Sequence, residues 1–132
     1  MILKVRHAMT GHPFSIPHDA TVTETAMTMI TAGIETIVVT KKDEIYGAVT
    51  SNDILRYTYT PDFNPAKTLV GRIANEDIML ARPSTSLHDI RTIMTETNTN
   101  TLPVVDKELV GYITLRDLIR VAPEKIETQL IG

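Results

Sequence analysis

Gly47-Ala48-Val49-Thr50-Ser51-Asn52-Asp53 and Gly111-Tyr112-Ile113-Thr114-Leu115-Arg116-Asp117 spell one pattern, G-x-x-T-x-x-D, twice, with an offset of 64 positions between the two glycines (111 − 47). Each copy opens on the glycine of an apolar strand, reaches a hydroxyl where that strand ends, and places an acid three residues later. Each then runs straight into an apolar-basic segment, ILR at residues 54–56 and LIR at 118–120. A hydroxyl three before an acid is the signature of a helix start. Each copy therefore reads as strand, cap, helix.

The repetition extends upstream. Charged turns precede both strands, at residues 41–44 and 107–108, and Val-rich strands precede the turns, IVV at 37–39 and PVV at 103–105. Residues 36–39 and 102–105 have the apolar run of short buried strands, and 45–49 and 109–113 read as their returning hairpin partners. Further back, Thr21-Val22-Thr23-Glu24 and Ser86-Leu87-His88-Asp89 again set a hydroxyl three before an acid. Behind them Val22, Ala26, Met27 and Ile30, and Leu87, Ile90, Ile93 and Met94, keep the spacing of one helical face. Gly33 is placed to stop the first helix. Val5 to Thr21 and Val70 to Ser86 are both sixteen steps, so the offset is 65 at the start and 64 after the shorter second hairpin.

The expected fold is mixed α/β (α+β): two tandem β-α-β-β-α units, one over residues 1–60 and one over 67–132 with a C-terminal helix. Between them 61–66 is a linker within the Pro-, Asp- and Asn-bearing stretch YTYTPDFNPA. A unit of about 60 residues buries little apolar surface alone, so the pair is expected to pack sheet to sheet with pseudo-twofold symmetry. Residues 123–132 and the N-terminal MILKV are mildly apolar and read as packing segments.

Composition narrows the function. The 132 residues carry a net charge of −3 with acids and bases interspersed, which argues against a nucleic-acid partner. No cysteine is present, which removes disulfides, thiolate metal sites and a Cys nucleophile. No apolar run is long enough for a signal peptide or a membrane span, and a cytoplasmic location is expected. His7, His12, His18 and His88 have no ligand-pair spacing, so no metal site is expected.

The doubled pattern has two readings. Asp53 and Asp117 suit the two hydroxyls of a ribose, Thr50 and Thr114 sit beside them, and Arg56 and Arg120, one helical step on, suit a phosphate. The same residues make ordinary capping boxes that need no ligand and contribute about 1 kcal/mol each.

With LPVVD at 102–106, VRHAMT at 5–10 and the doubled G-x-x-T-x-x-D, nearly the whole chain resembles a tandem pair of CBS domains, the regulatory module named after cystathionine β-synthase. The resemblance implies clefts between two units that bind AMP, ADP, ATP, NAD-type dinucleotides or S-adenosylmethionine, and a homodimer that signals to an effector protein in trans. Carried over by position, it implies that Asp53 and Asp117 hold ribose with Thr50 and Thr114. Ala48 and Tyr112 would face the base. Pro13 and Phe14 would line the pocket of the first copy, Ile78 and Met79 that of the second, and Thr36 and Leu102 would complete the walls. Ala48 and Tyr112 differ so much in bulk that the two sites cannot be equivalent: Tyr112 either stacks on adenine or fills its own cleft.

The leading function is thus a non-catalytic sensor of an adenosyl ligand. The alternative is a structural or dimerisation module with vestigial clefts. No P-loop, nucleophile elbow or metal-ligand cluster supports an enzyme.

Overall fold

The structure, a computed structural model, describes residues 2–121; the expected C-terminal helix lies outside that range. The element order is β1 (Ser15–Pro17), α1 (Val22–Ala32), β2 (Thr36–Lys41), β3 (Glu44–Thr50), α2 (Ser51–Tyr57), α3 (Leu87–Thr97), β4 (Thr101–Asp106), β5 (Glu108–Thr114) and α4 (Leu115–Val121), with short 3-10 turns at Val5–His7 and Val70–Arg72. This is the mixed α/β repeat that the sequence predicts. No helix among the described residues is long and apolar enough to cross a membrane.

Local chemistry sets the boundaries. Thr21 and Ser86 accept from the amides of Glu24 and Asp89, each at 3.1 Å, and so start α1 and α3. Gly33 ends α1 at φ 69°; Asn98, 65 residues on, ends α3 at φ 52°. The first hairpin turns through Lys42 and Asp43, both at positive φ, and the second through Lys107 alone. That single missing residue is the change of offset from 65 to 64.

In sheet β1-β2-β3, β1 runs parallel and β3 antiparallel to β2. In the second copy the first strand shrinks to one parallel bridge, Ala81 to Val104. His18 N–H donates to Thr40 at 2.8 Å to extend β1. The second repeat has Pro83 at that place, which has no amide hydrogen to give. Both hairpins carry a bulge: Val39 and Thr40 face Gly47 and Ile45, which leaves Tyr46 as the extra residue.

The repeat copies and the compact units do not coincide. One unit is continuous, Phe14–Ile78; the other joins Met1–Pro13 to the chain from Met79 onward. They are called here the Asp53 unit and the Asp117 unit. Each has its own core: Ile16, Val22, Met29, Ile37, Val49 and Val70 lead the first, and Val5, Ile90, Leu102, Val104, Ile113 and Leu118 the second. The linker stretch belongs to the Asp53 unit, where the carbonyls of Pro65 and Thr68 accept from Thr23 and Val22 at the start of α1.

One face was misassigned from the sequence. α1 buries Val22, Thr25 and Met29, while Met27 and Ile30 are 59% and 74% exposed. Thr25 replaces them inward because its hydroxyl donates to the Thr21 carbonyl at 2.9 Å, which satisfies the polar group locally. The α3 face is as expected, with Leu87, Ile90 and Met94 buried and Ile93 packed against them.

Candidate functional site

The two junctions are built alike at the backbone. Thr50 N–H donates to Asp53 Oδ2 at 2.9 Å, and Asp53 N–H donates to Thr50 Oγ1 at 3.1 Å. Thr114 and Asp117 repeat both bonds at the same distances. The capping reading of G-x-x-T-x-x-D is therefore correct in both copies. It consumes one carboxylate oxygen of each acid and leaves Oδ1 for other work.

The glycines have a structural reason. Ala48 exchanges two backbone hydrogen bonds with Asn75, at 2.9 and 2.8 Å, and Tyr112 exchanges two with Thr10, at 3.0 and 2.9 Å. A Cβ on Gly47 would sit 2.5 Å from the Asn75 carbonyl oxygen, and one on Gly111 would collide with that of Thr10. What comes close to these glycines is the protein's own backbone. Thr10 lies in the VRHAMT stretch, but from the sequence neither it nor Asn75 has a role at the junctions, although their offset of 65 (75 − 10) matches the repeat.

These bridges exchange the copies. Thr10, from the first repeat, backs the second repeat's β5; Asn75, from the second, backs β3. Unit membership follows: Ala48, Thr36, Thr50, Asp53, Arg56, Phe14 and Ile78 lie in the Asp53 unit, and Tyr112, Leu102, Thr114, Asp117, Arg120, Pro13 and Met79 in the Asp117 unit. The expected pairs Pro13–Phe14 and Ile78–Met79 are each split. Phe14, Pro13 and Met79 are exposed, Ile78 is half-buried, and Thr36, Leu102, Ala48 and Tyr112 are buried.

The side chains break the symmetry that the backbone keeps. Arg120 Nη2 lies 3.0 Å from Asp117 Oδ1 and donates to the Ala8 carbonyl at 2.8 Å. Both oxygens of Asp117 are thus engaged, and the residue is 6% exposed. In the Asp53 unit the Arg56 guanidinium makes no such bond. Among the described residues neither it nor Asp53 Oδ1 has a hydrogen-bond or ion-pair partner. Asp53 is half-exposed and Arg56 exposed. Tyr112 is 1% exposed, so its ring offers no open face.

Elsewhere in the Asp53 unit, the neighbouring Glu76 carboxylate raises the pKa of the Tyr46 phenol above its ordinary 10.0. No group of three or more His, Asp or Glu among the described residues could hold a metal ion.

Comparison with known proteins agrees with this architecture. The chain is 26% identical over 126 residues to an uncharacterized protein of Methanopyrus kandleri and 29% identical over 120 residues to one of Methanocaldococcus jannaschii; it covers 62% and 64% of their lengths, from 93% and 88% of its own. It thus spans less than two thirds of these relatives. Its fold is similar to that of a conserved protein from Pyrococcus horikoshii, with a TM-score of 0.80, 23% identity, and 92% and 93% of the two chains covered. It is also similar to the CBS domain pair of a protein solved with 5′-methylthioadenosine and S-adenosyl-L-methionine, with a TM-score of 0.81, 21% identity, and 95% and 99% covered. A third similar structure is a hexameric CBS-CP12 protein from bloom-forming cyanobacteria, with a TM-score of 0.78, 22% identity, and 92% and 73% covered. The CBS domain pattern itself matches twice, at residues 5–59 and 70–124. Two such matches, on two copies of one capped strand-helix junction, make this chain a member of the CBS domain family, whose paired domains are regulatory modules.

Proposed function

We propose that the chain is a regulatory sensor of an adenosyl ligand, and that the Asp53 junction, with Thr50, Arg56 and the neighbouring Ala48, Thr36, Phe14 and Ile78, is where the ligand binds. The observation that carries this reading is the free Asp53 Oδ1 beside an unpaired Arg56. A carboxylate oxygen with open lone pairs accepts ribose hydroxyls, and a free guanidinium meets a phosphate or carboxylate in fork geometry. Ala48 carries only a methyl group where its counterpart Tyr112 carries a phenol ring. AMP, ADP and ATP fit this chemistry, as do NAD and S-adenosylmethionine, and the adenosyl ligands of the solved CBS pair support the class. The bound state then biases a homodimer or an effector partner through its differential affinity for two arrangements.

The Asp117 junction favours a second reading for its own half. With Arg120 on Asp117 and Tyr112 buried, the Thr114–Asp117 junction reads as structural, in keeping with a vestigial site.

Thermal unfolding of the purified chain against AMP, ADP, ATP, NAD, S-adenosylmethionine and a guanine nucleotide tests the proposal. At about 100 times its dissociation constant, a one-site ligand adds about 2.7 kcal/mol, a midpoint rise of several degrees. A rise confined to adenine compounds and lost in Asp53→Asn is expected. No rise with any compound at millimolar concentration rejects the sensor in favour of a structural module.

A further inference from the structure

We propose that the Asp53 unit carries a second ligand site, a groove of about 410 Å³ in which His18, Lys41 and Arg72 hold a phosphate-bearing small molecule. Three separate segments supply these groups. His18 follows β1, Lys41 ends β2, and Arg72 closes the turn Val70–Arg72. The backbone fixes their convergence. His18 N–H donates to Thr40 at 2.8 Å, which seats it beside Lys41, and Gly71 N–H donates to the His18 carbonyl at 2.9 Å, which brings Arg72 to the same spot. A Cβ on Gly71 would lie 3.0 Å from both Cβ and O of His18, so the glycine permits this close seat.

Tyr46 forms part of the wall. It is the bulged residue of β3, and bulges re-aim side chains. Its ring centroid is 6.4 Å from that of His18, and Lys41 Nζ stands 5.7 Å above it. Glu76 is near enough to the Tyr46 phenol to raise its pKa, but among the described residues it forms no ion pair with Lys41 or Arg72. Neither Lys41 nor Arg72 has a carboxylate within 4.0 Å among the described residues. In a chain of net charge −3, unpaired cations meeting in a concave groove form a local positive site of the kind that attracts anions. Lysine supplies a compact charge and arginine a planar fork, the two complementary ways of holding phosphate oxygens.

Arg72 also borders a neighbouring cavity of about 240 Å³ that includes Tyr57 and Phe63, whose rings are 5.9 Å apart. A phosphate on Arg72 leaves that aromatic pair for the body of the molecule. The groove is separate from the Asp53 junction: Tyr46 and Thr50 are four residues apart on one strand, about 13 Å at the usual rise.

The test is a nuclear magnetic resonance titration of the full chain with inorganic pyrophosphate, read at the rings of His18 and Tyr46. Saturable shifts of both are expected. K41Q/R72Q should weaken binding at least tenfold with no loss of unfolding midpoint, since both side chains are exposed. K67Q/K107Q, which removes two positive charges elsewhere, and D53N should leave it unchanged. Absence of shifts at His18 and Tyr46 overturns the proposal. So does equal weakening in K67Q/K107Q, which would reveal only nonspecific charge attraction. Loss in D53N also overturns it, because it would place the anion at the Asp53 junction; the adenosyl reading stands or falls separately.

Discussion

Arg120 occupies the second oxygen of Asp117 at 3.0 Å and anchors itself to the carbonyl of Ala8, whereas Arg56, its counterpart in the other repeat, leaves Asp53 open. Two junctions with identical backbone bonds therefore differ in what their acids can still accept. The expected stoichiometry by isothermal titration calorimetry with an adenosyl ligand is one per chain. Asp53→Asn should cost tenfold or more in affinity, and Asp117→Asn less than threefold. Two equivalent sites per chain would contradict the closed state of Asp117.

Asp117 acts on stability instead. Asp117→Ala removes the acid of a buried capping box and should destabilise by about 1–2 kcal/mol in urea unfolding. Arg120→Ala should cost no more than about 1 kcal/mol, because the arginine side chain is 62% exposed and water screens its pair.

The glycines of the repeat yield a sharper contrast. Gly47→Ala and Gly111→Ala force a methyl group into the backbone of Asn75 and Thr10 and should each destabilise by about 1–3 kcal/mol. Gly11→Ala meets open space and should stay within about 0.5 kcal/mol. Midpoints of thermal unfolding for the three variants decide it.

The face of α1 can be checked the same way. Val22→Ala and Met29→Ala open buried volume and should cost about 1.5–4 kcal/mol. Met27→Lys and Ile30→Lys, on exposed positions, should change the monomer's stability by less than about 0.5 kcal/mol. A large loss from Ile30→Lys would restore the face first expected from the sequence.

Tyr46 gives a pH signature. Its phenol is held protonated by Glu76, so its folded pKa lies above the unfolded 10.0. The folded state binds that proton more tightly, so the stabilising contribution is complete below about pH 10 and disappears as pH rises through the folded value. Phenolate absorbance in alkaline titration, taken as the difference from Tyr46→Phe, should show the raised pKa, and Glu76→Gln should bring it back toward 10.0.

What the sequence disclosed was local. Caps such as Thr50–Asp53 bond within three residues, the stop at Gly33 needs only a positive φ, and the two hairpins announce themselves by charged turns between Val-rich strands. What it concealed was nonlocal. Thr25 looks polar until its bond to the preceding turn is seen, and the tie of Arg120 to Ala8 joins residues 112 apart. Periodicity can assign an acid and an arginine to neighbouring turns, but it cannot say whether they meet. That contact separates a closed junction from an open one, and it depends on a backbone carbonyl supplied by the far end of the chain.

The exchange of opening segments has a consequence for how the chain folds. Phe14–Ile78 is contiguous and closes on its own neighbours, whereas the Asp117 unit must join Thr10 to Tyr112 across the whole intervening length. Long loops are costly to close before their contacts form, and pairings distant in sequence slow the transition state. The contiguous unit has the shorter loops to close and is expected to form first. Synthesis delivers β5 only after all of Phe14–Ile78, so the residues before Pro13 wait through that stretch without their partner.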